Sequence, residues 1–265
     1  MKKIVVNFIG TGNYLKFFPK YYETFMEYFV PECYKHFFVF TDGELGNDIP
    51  ENITLVPSEE TVKITKSDYS SSNWYNLMHK SIGGLKRFGE IKKIKEQILD
   101  YDWFVYFDAD MHCYPKIITY DEFFNDQKDY FGVQHPTQNI GMFEYCPSNK
   151  DQFPFERNQK SLSSVKVEEQ IDDIYIQGCV WGGKIPEIFN MIEELDEKII
   201  IDIENNIITI AHDESYLNRF RFDNIKNFHV LSPSFAKPGD IPSNQFNFSA
   251  RIIHSPHDKK IILNS

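Results

Sequence analysis

Val105-Tyr106-Phe107-Asp108-Ala109-Asp110-Met111-His112 reads VYFDADMH, and the fold turns on it. Trp103 to Phe107 is an apolar run of strand length, and two carboxylates follow it, one residue apart. Two like charges at the end of a buried strand repel at high cost unless something positive joins them. In α/β sheets, ligands bind beyond the carboxyl ends of the strands, where this pair falls. Carboxylates at i and i+2 there can chelate one hard divalent cation, Mg2+ or Mn2+, which also holds the phosphates of a ligand. The competing reading is a solvated acidic turn.

Upstream of the pair, Ile4 to Ile9 (IVVNFI) is a β-branched run that stops at Gly10-Thr11-Gly12-Asn13, which reads as a strand and a turn. Pro19 suits the first turn of a helix, and Tyr22, Phe25, Met26 and Phe29 follow at helical spacing. His36 to Thr41 is a second strand, stopped by Asp42-Gly43, and Ile53 to Val56 a third. Residues 60–84 are polar, with the Ser-rich SDYSSSNW and the pair Gly83-Gly84, and are expected to form a long loop. Leu85, Phe88, Ile91, Ile94 and Ile98 then fall on one apolar helix face, with Lys86, Lys92, Lys93 and Lys95 off it. Downstream, Tyr130 to Gln134 reads as a strand and Asp213 to Phe222 as a helix. Alternating strands and helices predict a doubly wound α/β sheet, and no linker divides the chain.

Bulk properties narrow the function. The chain has 265 residues, 42% of them hydrophobic, so a sizeable core is within reach and wholesale disorder is excluded. A net charge of -11 disfavours sequence-independent binding to nucleic acid or to an anionic membrane surface, so an anionic ligand would need local positive charge. Cys33, Cys113, Cys146 and Cys179 form no CxxC pair, which argues against a zinc cluster and for reduced thiols. No secretory leader opens the sequence and no apolar run reaches membrane-spanning length, so the expected location is the cytoplasm, with no membrane anchor.

Five further places could carry chemistry. Ala211-His212-Asp213-Glu214-Ser215 gathers three ionisable residues where a helix begins. His212 and Asp213 could bind sugar hydroxyls and Glu214 could face an anomeric carbon, or the acids could simply favour the helix dipole. Tyr175 to Gly183 (YIQGCVWGG) is rich in small residues, which let a ligand approach the backbone or make a tight turn. His135, at a strand end, and Phe155-Glu156-Arg157-Asn158 are weaker candidates. Arg251 to Lys260 (RIIHSPHDKK) is a basic stretch in an acidic protein, either a solvated tail or a segment that closes over a diphosphate.

Taken in order, VFTDG, LKRF, FDADM, HP, FERNQ, GCVWGG, HDESYLNRF and VLSP resemble the family 6 glycosyltransferases, over about residues 4–260. That is the family of the histo-blood-group A and B transferases and the α1,3-galactosyltransferases, with soluble bacterial and phage members. The resemblance implies a single GT-A catalytic domain: a mixed, mostly parallel sheet between helices, with a nucleotide-sugar half at 1–115, an acceptor and catalytic half at 116–250, and a tail at 251–265. It implies retaining transfer of galactose or N-acetylgalactosamine from a UDP-sugar to a galactoside hydroxyl in α1,3 linkage, on an oligosaccharide or glycoconjugate.

Carried over residue by residue, the resemblance has Tyr14, with the Phe8 and Ile9 strand end, hold the uracil. Asp108 and Asp110 would bind Mn2+ (or Mg2+) together with donor ribose and phosphates, and Arg87 would touch the donor sugar and the acidic pair. Gln177, Gly178 and Cys179 would line the pocket that admits or refuses an N-acetyl group, and Cys179 leans towards a plain hexose. His135 would meet the acceptor, His212 and Asp213 would hold substrate hydroxyls, and Glu214 would be the nucleophile or stabilise an oxocarbenium ion. Lys259 or Lys260 would reach the diphosphate. Some bacterial relatives carry Asn for the two acids and work without metal, so the retained acids imply metal dependence here. Vertebrate relatives place Trp where this chain has Ala211. The alternatives are a retaining glycosyltransferase of the galactinol and glycogenin type, in which His254 or His257 would join the metal, and a non-catalytic UDP-sugar or carbohydrate-binding module.

Overall fold

The computed structural model describes residues 1–58, 82–136, 138 and 155–255. Its main sheet has seven strands, in spatial order β3 (Ile53–Pro57), β2 (Tyr34–Thr41), β1 (Lys3–Ile9), β4 (Trp103–Phe107), β7 (Ile176–Lys184), β6 (Tyr130–Gln134) and β8 (Phe228–Leu231). Every pairing is parallel except the two made by β7, which runs against β4 and β6. This is the mixed, mostly parallel sheet that the resemblance implies.

Both faces of the sheet are covered, which is why its central strands read as unbroken apolar runs rather than alternating ones. On one face, α1 (Phe18–Tyr28) packs Tyr21 and Phe25 over the strands, with the Phe25 and Phe107 ring centroids 4.4 Å apart. Pro19 lies in its first turn, as the sequence predicts. The buried Lys35 ammonium donates to the Phe29 and Val30 carbonyls just past its end, satisfying groups a helix terminus leaves open. On the other face lie α2 (Ile82–Lys92), α3 (Ile188–Glu204) and α4 (Asp213–Asp223).

β4 delivers the acid pair. The Asp108 N–H donates to the Cys179 carbonyl at 3.0 Å, continuing the β4–β7 ladder by one bond. The chain then turns, with Met111 N–H donating to Asp108 O, and enters β5 (Met111–Cys113). β5 opens a second, three-stranded sheet, pairing antiparallel with β10 (Ile252–His254), which in turn lies parallel to β9 (Lys237–Pro238).

Several expectations need correction. The apolar face from Leu85 to Ile98 is buried throughout, but the helix stops at Lys92. Ile94 donates to Ile91 O three residues back, and a 3-10 turn over Lys95–Gln97 swings Ile98 into the core ahead of β4. The small-residue stretch from Tyr175 is no turn. It is the buried strand β7, and its glycines admit neighbours, since a side chain at Gly182 would strike the Phe104 carbonyl at 2.2 Å. Of the loop expected over 60–84, residues 82–84 are helical instead, since Ile82 opens α2. Residues 59–81 lie outside the described residues. The stretch from Arg251 is not a solvated tail at its start. It forms β10, and Arg251 is bound by Glu122 at 2.8 Å. The seventeen-residue α3, unmarked in the sequence reading, supplies much of the second face.

Candidate active site

The site lies where β4, β7 and the start of α4 converge. Gly178 on β7 donates its N–H to Glu214 Oε2 at 2.6 Å. A Cβ at Gly178 would come within 3.4 Å of Asp213 Oδ2, Glu214 Cβ and Glu214 Oε2, so its lack of a side chain allows this approach. Asn218, fully buried one turn along α4, grips the Ile176 peptide from both sides: its amide donates to the Ile176 carbonyl and its Oδ1 accepts the Ile176 N–H, each at 2.8 Å. The same amide donates to Glu214 O. α4 is thereby locked in register with β7, and Glu214 with it.

The residue before α4 is strained. His212 sits at φ 49°, ψ -127°, a left-handed backbone that a residue with a Cβ rarely adopts. It is held there by Thr209, whose hydroxyl donates to His212 O at 2.8 Å, and by Glu156, whose carboxylate accepts the N–H of Ile210. Strain of this kind costs on the order of 1–3 kcal/mol and persists where surrounding contacts overdetermine it. The strained residue stands directly before Asp213 and Glu214, whose carboxylates meet Arg87 and the Gly178 N–H.

Arg87, on α2, joins the two acidic groups. Its Nη1 donates to the Gly178 carbonyl at 2.9 Å and lies 3.4 Å from Asp108 Oδ1 and 3.2 Å from Asp213 Oδ2. The guanidinium stacks over Tyr106, 4.6 Å from the ring centroid, and the Tyr106 hydroxyl donates to Asp108 Oδ1. Close approach of α2 rests on Gly84, where a Cβ would lie 2.6 Å from Asp213 Oδ1. Burial by itself would lower the Arg87 pKa, but Asp213 and Asp108 raise it overall and hold the cation.

Electrostatics divide the carboxylates. Burial pushes the Asp213 pKa up to about 6 even against Arg87. It pushes Glu214 up to about 7, with the Gly178 N–H opposing the shift and Asp213 and Asp108 adding to it. Glu214 thus takes a proton readily near neutral pH and gives it up beside a positive partner. The Cys179 thiol is raised well above its usual range by burial and stays protonated.

The acid pair has a third neighbour. His254 Nε2, on β10, lies 3.0 Å from Asp110 Oδ1, and one ligand atom each from Asp108, Asp110 and His254 fall within 4.8 Å of one another. Two carboxylates and an imidazole so grouped suit a divalent cation.

The remaining site residues fall around this centre. Gln177 and Cys179 are buried on β7, and the Gln177 Oε1 has no hydrogen-bond partner among the described residues. His135 follows β6 and donates its N–H to Tyr175 O; burial, with a contribution from His254, lowers its pKa to about 3, so it is neutral. Tyr14 sits half-buried on the 3-10 turn over Gly12–Phe17, next to the end of β1, and Ile9 is half-buried at that end. Phe8 lies in the core, its ring 5.0 Å from Phe18 and from Tyr21, so it supports the site from beneath. Lys259, Lys260 and His257 lie outside the described residues, as do Trp74 and Cys146. Cys33, Cys113 and Cys179 are free and buried. No described helix is long and apolar enough to cross a membrane. The roles of Asn218, Glu156 and Gly84 are not readable from the sequence, because each acts through backbone or through close approach. A lone Asn or Gly carries no sequence signature of that.

Comparison with known proteins identifies the family. The chain is 27% identical over 225 residues to the O-antigen biosynthesis glycosyltransferase WbnI of Escherichia coli, covering 83% of each chain. It is 25% identical over 228 residues to the histo-blood group ABO system transferase 1 of Rattus norvegicus, covering 82% of this chain and 58% of the relative. It is 25% identical over 234 residues to the human globoside alpha-1,3-N-acetylgalactosaminyltransferase 1, covering 88% of this chain and 60% of the relative. The chain thus spans most of the bacterial relative and under two thirds of these mammalian ones. A profile of glycosyltransferase family 6 matches residues 2–263, which sets aside the galactinol and glycogenin type. The chain belongs to glycosyltransferase family 6: it is a glycosyltransferase with a GT-A fold.

Proposed function

We propose that this enzyme moves galactose or N-acetylgalactosamine from a UDP-sugar to a galactoside hydroxyl on a glycan, in α1,3 linkage with retention of configuration, and that it depends on a divalent cation, Mn2+ or Mg2+. The observation that carries the reading is the Arg87 bridge, which holds Asp108 and Asp213 on one guanidinium nitrogen; the reading assigns Asp108 to the phosphates and Asp213 to the sugar.

Asp108 and Asp110 hold the cation with the donor's ribose and phosphates. When bound, that cation offsets the charge of the departing diphosphate. Tyr14 and the Phe8–Ile9 strand end receive the uracil. Gln177, Gly178 and Cys179 wall the sugar pocket, and the Gln177 Oε1 is available to accept a sugar hydroxyl. Cys179 is bulkier than glycine, and at a wall of that pocket it favours a plain hexose over an N-acetylated one. Asp213 and His212 take substrate hydroxyls, and His135 meets the acceptor as a neutral imidazole. Glu214, fixed by Gly178 and Asn218, presents its carboxylate to the anomeric carbon as positive charge develops there. Residues 1–115 form the nucleotide-sugar half of one domain, residues 116–250 the acceptor and catalytic half, and residues 251–265 the tail that brings Lys259 or Lys260 to the diphosphate.

The test is UDP release from UDP-Gal, UDP-GalNAc, UDP-Glc and UDP-GlcNAc, with and without Mn2+ and with a galactoside acceptor. Release from UDP-Gal that requires Mn2+ and rises with acceptor is expected. No release from UDP-Gal or UDP-GalNAc, with or without Mn2+, would overturn the donor assignment.

A further inference from the structure

We propose that His254 is a third protein ligand of the cation held at Asp108 and Asp110, so that the ion fastens strand β10 to the end of β4. The inference rests on the cation site proposed above and adds to it a residue, a metal preference and a mechanical link.

The spacing is that of ligands. An octahedral ion with bonds of about 2.1 Å has cis neighbours about 3.0 Å apart. His254 Nε2 and Asp110 Oδ1 are separated by 3.0 Å, and an oxygen of Asp108 joins them within 4.8 Å. A simple Asp–His hydrogen bond would have the same length, but it would not need the second carboxylate. Arg87 serves Asp108 and Asp213, whereas the ion pair described for Asp110, a carboxylate only 4% exposed, is with His254.

The imidazole is also held in place by backbone. His254 pairs with Met111 across the β10–β5 ladder, and its carbonyl accepts the Gly239 N–H at 2.7 Å. The next residue, Ser255, donates its N–H to the Asp110 carbonyl at 3.1 Å, while its Oγ lies 3.1 Å from His112 Nδ1. Asp110 and His254 are thus tied through main chain on both sides of the candidate ion. Ligand groups positioned this way lose little freedom on binding.

Two consequences follow from the donor set. An imidazole with two carboxylates suits Mn2+, Co2+ or Zn2+ better than the hard Mg2+, which prefers oxygen alone. Loading the site also stabilises the docked form of β10, because the strand contributes a bond to the ion.

The experiment uses the full-length protein with Mn2+ alone and no nucleotide. Pulsed electron paramagnetic resonance reads nitrogen coordinated to the ion, and titration gives Mn2+ and Mg2+ affinities. Wild type should show one directly bound nitrogen. His254→Ala and His254→Gln should lose it, weaken Mn2+ at least about tenfold, the lower range for losing even an outer partner of a ligand, and weaken Mg2+ far less. His112→Ala should keep the nitrogen signal, and circular dichroism melts of all three variants check folding. Wild type that binds Mn2+ without a nitrogen signal overturns the His254 assignment alone, as does a signal that survives in both His254 variants or moves with His112. No Mn2+ binding by wild type, together with full UDP release in EDTA, overturns the cation site itself.

Discussion

Asp108 and Asp213 share one nitrogen of Arg87, at 3.4 and 3.2 Å, although they lie on different elements more than a hundred residues apart in sequence. The repulsion of the strand-end acids is therefore met in part by protein before any cation arrives. A single guanidinium thus couples Asp108, the carboxylate proposed to face the leaving group, to Asp213, one proposed to face the sugar. Arg87→Lys supplies one point charge in place of a planar fork and cannot keep the Gly178 carbonyl and both carboxylates. The turnover number should fall by roughly a hundredfold, the scale of losing a charged, buried hydrogen bond, about 2–3 kcal/mol. Steady-state kinetics checks it; turnover within twofold of wild type would mean the bridge is incidental.

Gly84→Ala separates two effects of opposite sign. Within a helix alanine is favoured over glycine by up to about 0.8–1 kcal/mol. Here its Cβ would lie 2.6 Å from Asp213 Oδ1, so the carboxylate must move away from Arg87. The expected outcome is a melting temperature held or raised with activity down at least about tenfold, about 1.4 kcal/mol in the barrier. A thermal melt beside a rate assay reads both.

The protonation of Glu214 makes stability pH-dependent in a stated direction. Its pKa rises from 4.5 to about 7 on folding, chiefly through burial, so between those values the folded chain holds the extra proton. Stability contributed by this group therefore falls as pH rises from about 4.5 to about 7, and the full penalty stands above that. Glu214→Gln keeps an acceptor for the Gly178 N–H and removes the charge. It should stabilise the unliganded protein at pH 8 by no more than about 3 kcal/mol, less to the extent that the half-buried carboxylate is solvated, and change little at pH 5. Denaturant melts at the two pH values test this; equal shifts at both would contradict it.

Removal of the cation should abolish transfer. EDTA treatment, or Asp110→Asn, is expected to lower UDP release at least about a hundredfold, with Mn2+ restoring the EDTA-treated wild type but not the variant. Full activity in EDTA would refute metal dependence.

Much of this was legible in sequence because it is written in local patterns. The Ile4–Ile9 and Trp103–Phe107 runs are buried on both faces and are strands, and the acid pair falls at the carboxyl end of the second. His212 precedes a helix that Asp213 and Glu214 open, in keeping with the helix expected over Asp213 to Phe222. The failures share a cause. YIQGCVWGG resembles a turn because its glycines suit tight bends, yet they serve the approach of Phe104, Phe131 and Asp129 in the middle of the sheet. RIIHSPHDKK looks solvated because its charges dominate, yet its Ile252 and Ile253 pair with Cys113 and His112 through a long-range ladder. Asn218 and Gly84 matter only through distant partners, Ile176 and Asp213, and pairwise distances of that kind are not local information.

The central claim is that Glu214 acts on the sugar while Asp108 and Asp110 act on the nucleotide. The direct measurement is UDP affinity by calorimetry beside sugar transfer, in Mn2+, for wild type and Glu214→Ala. The account predicts UDP affinity within about threefold of wild type, less than 1 kcal/mol, and transfer reduced by about a thousandfold or more. Transfer by Glu214→Ala at the wild-type rate would contradict it.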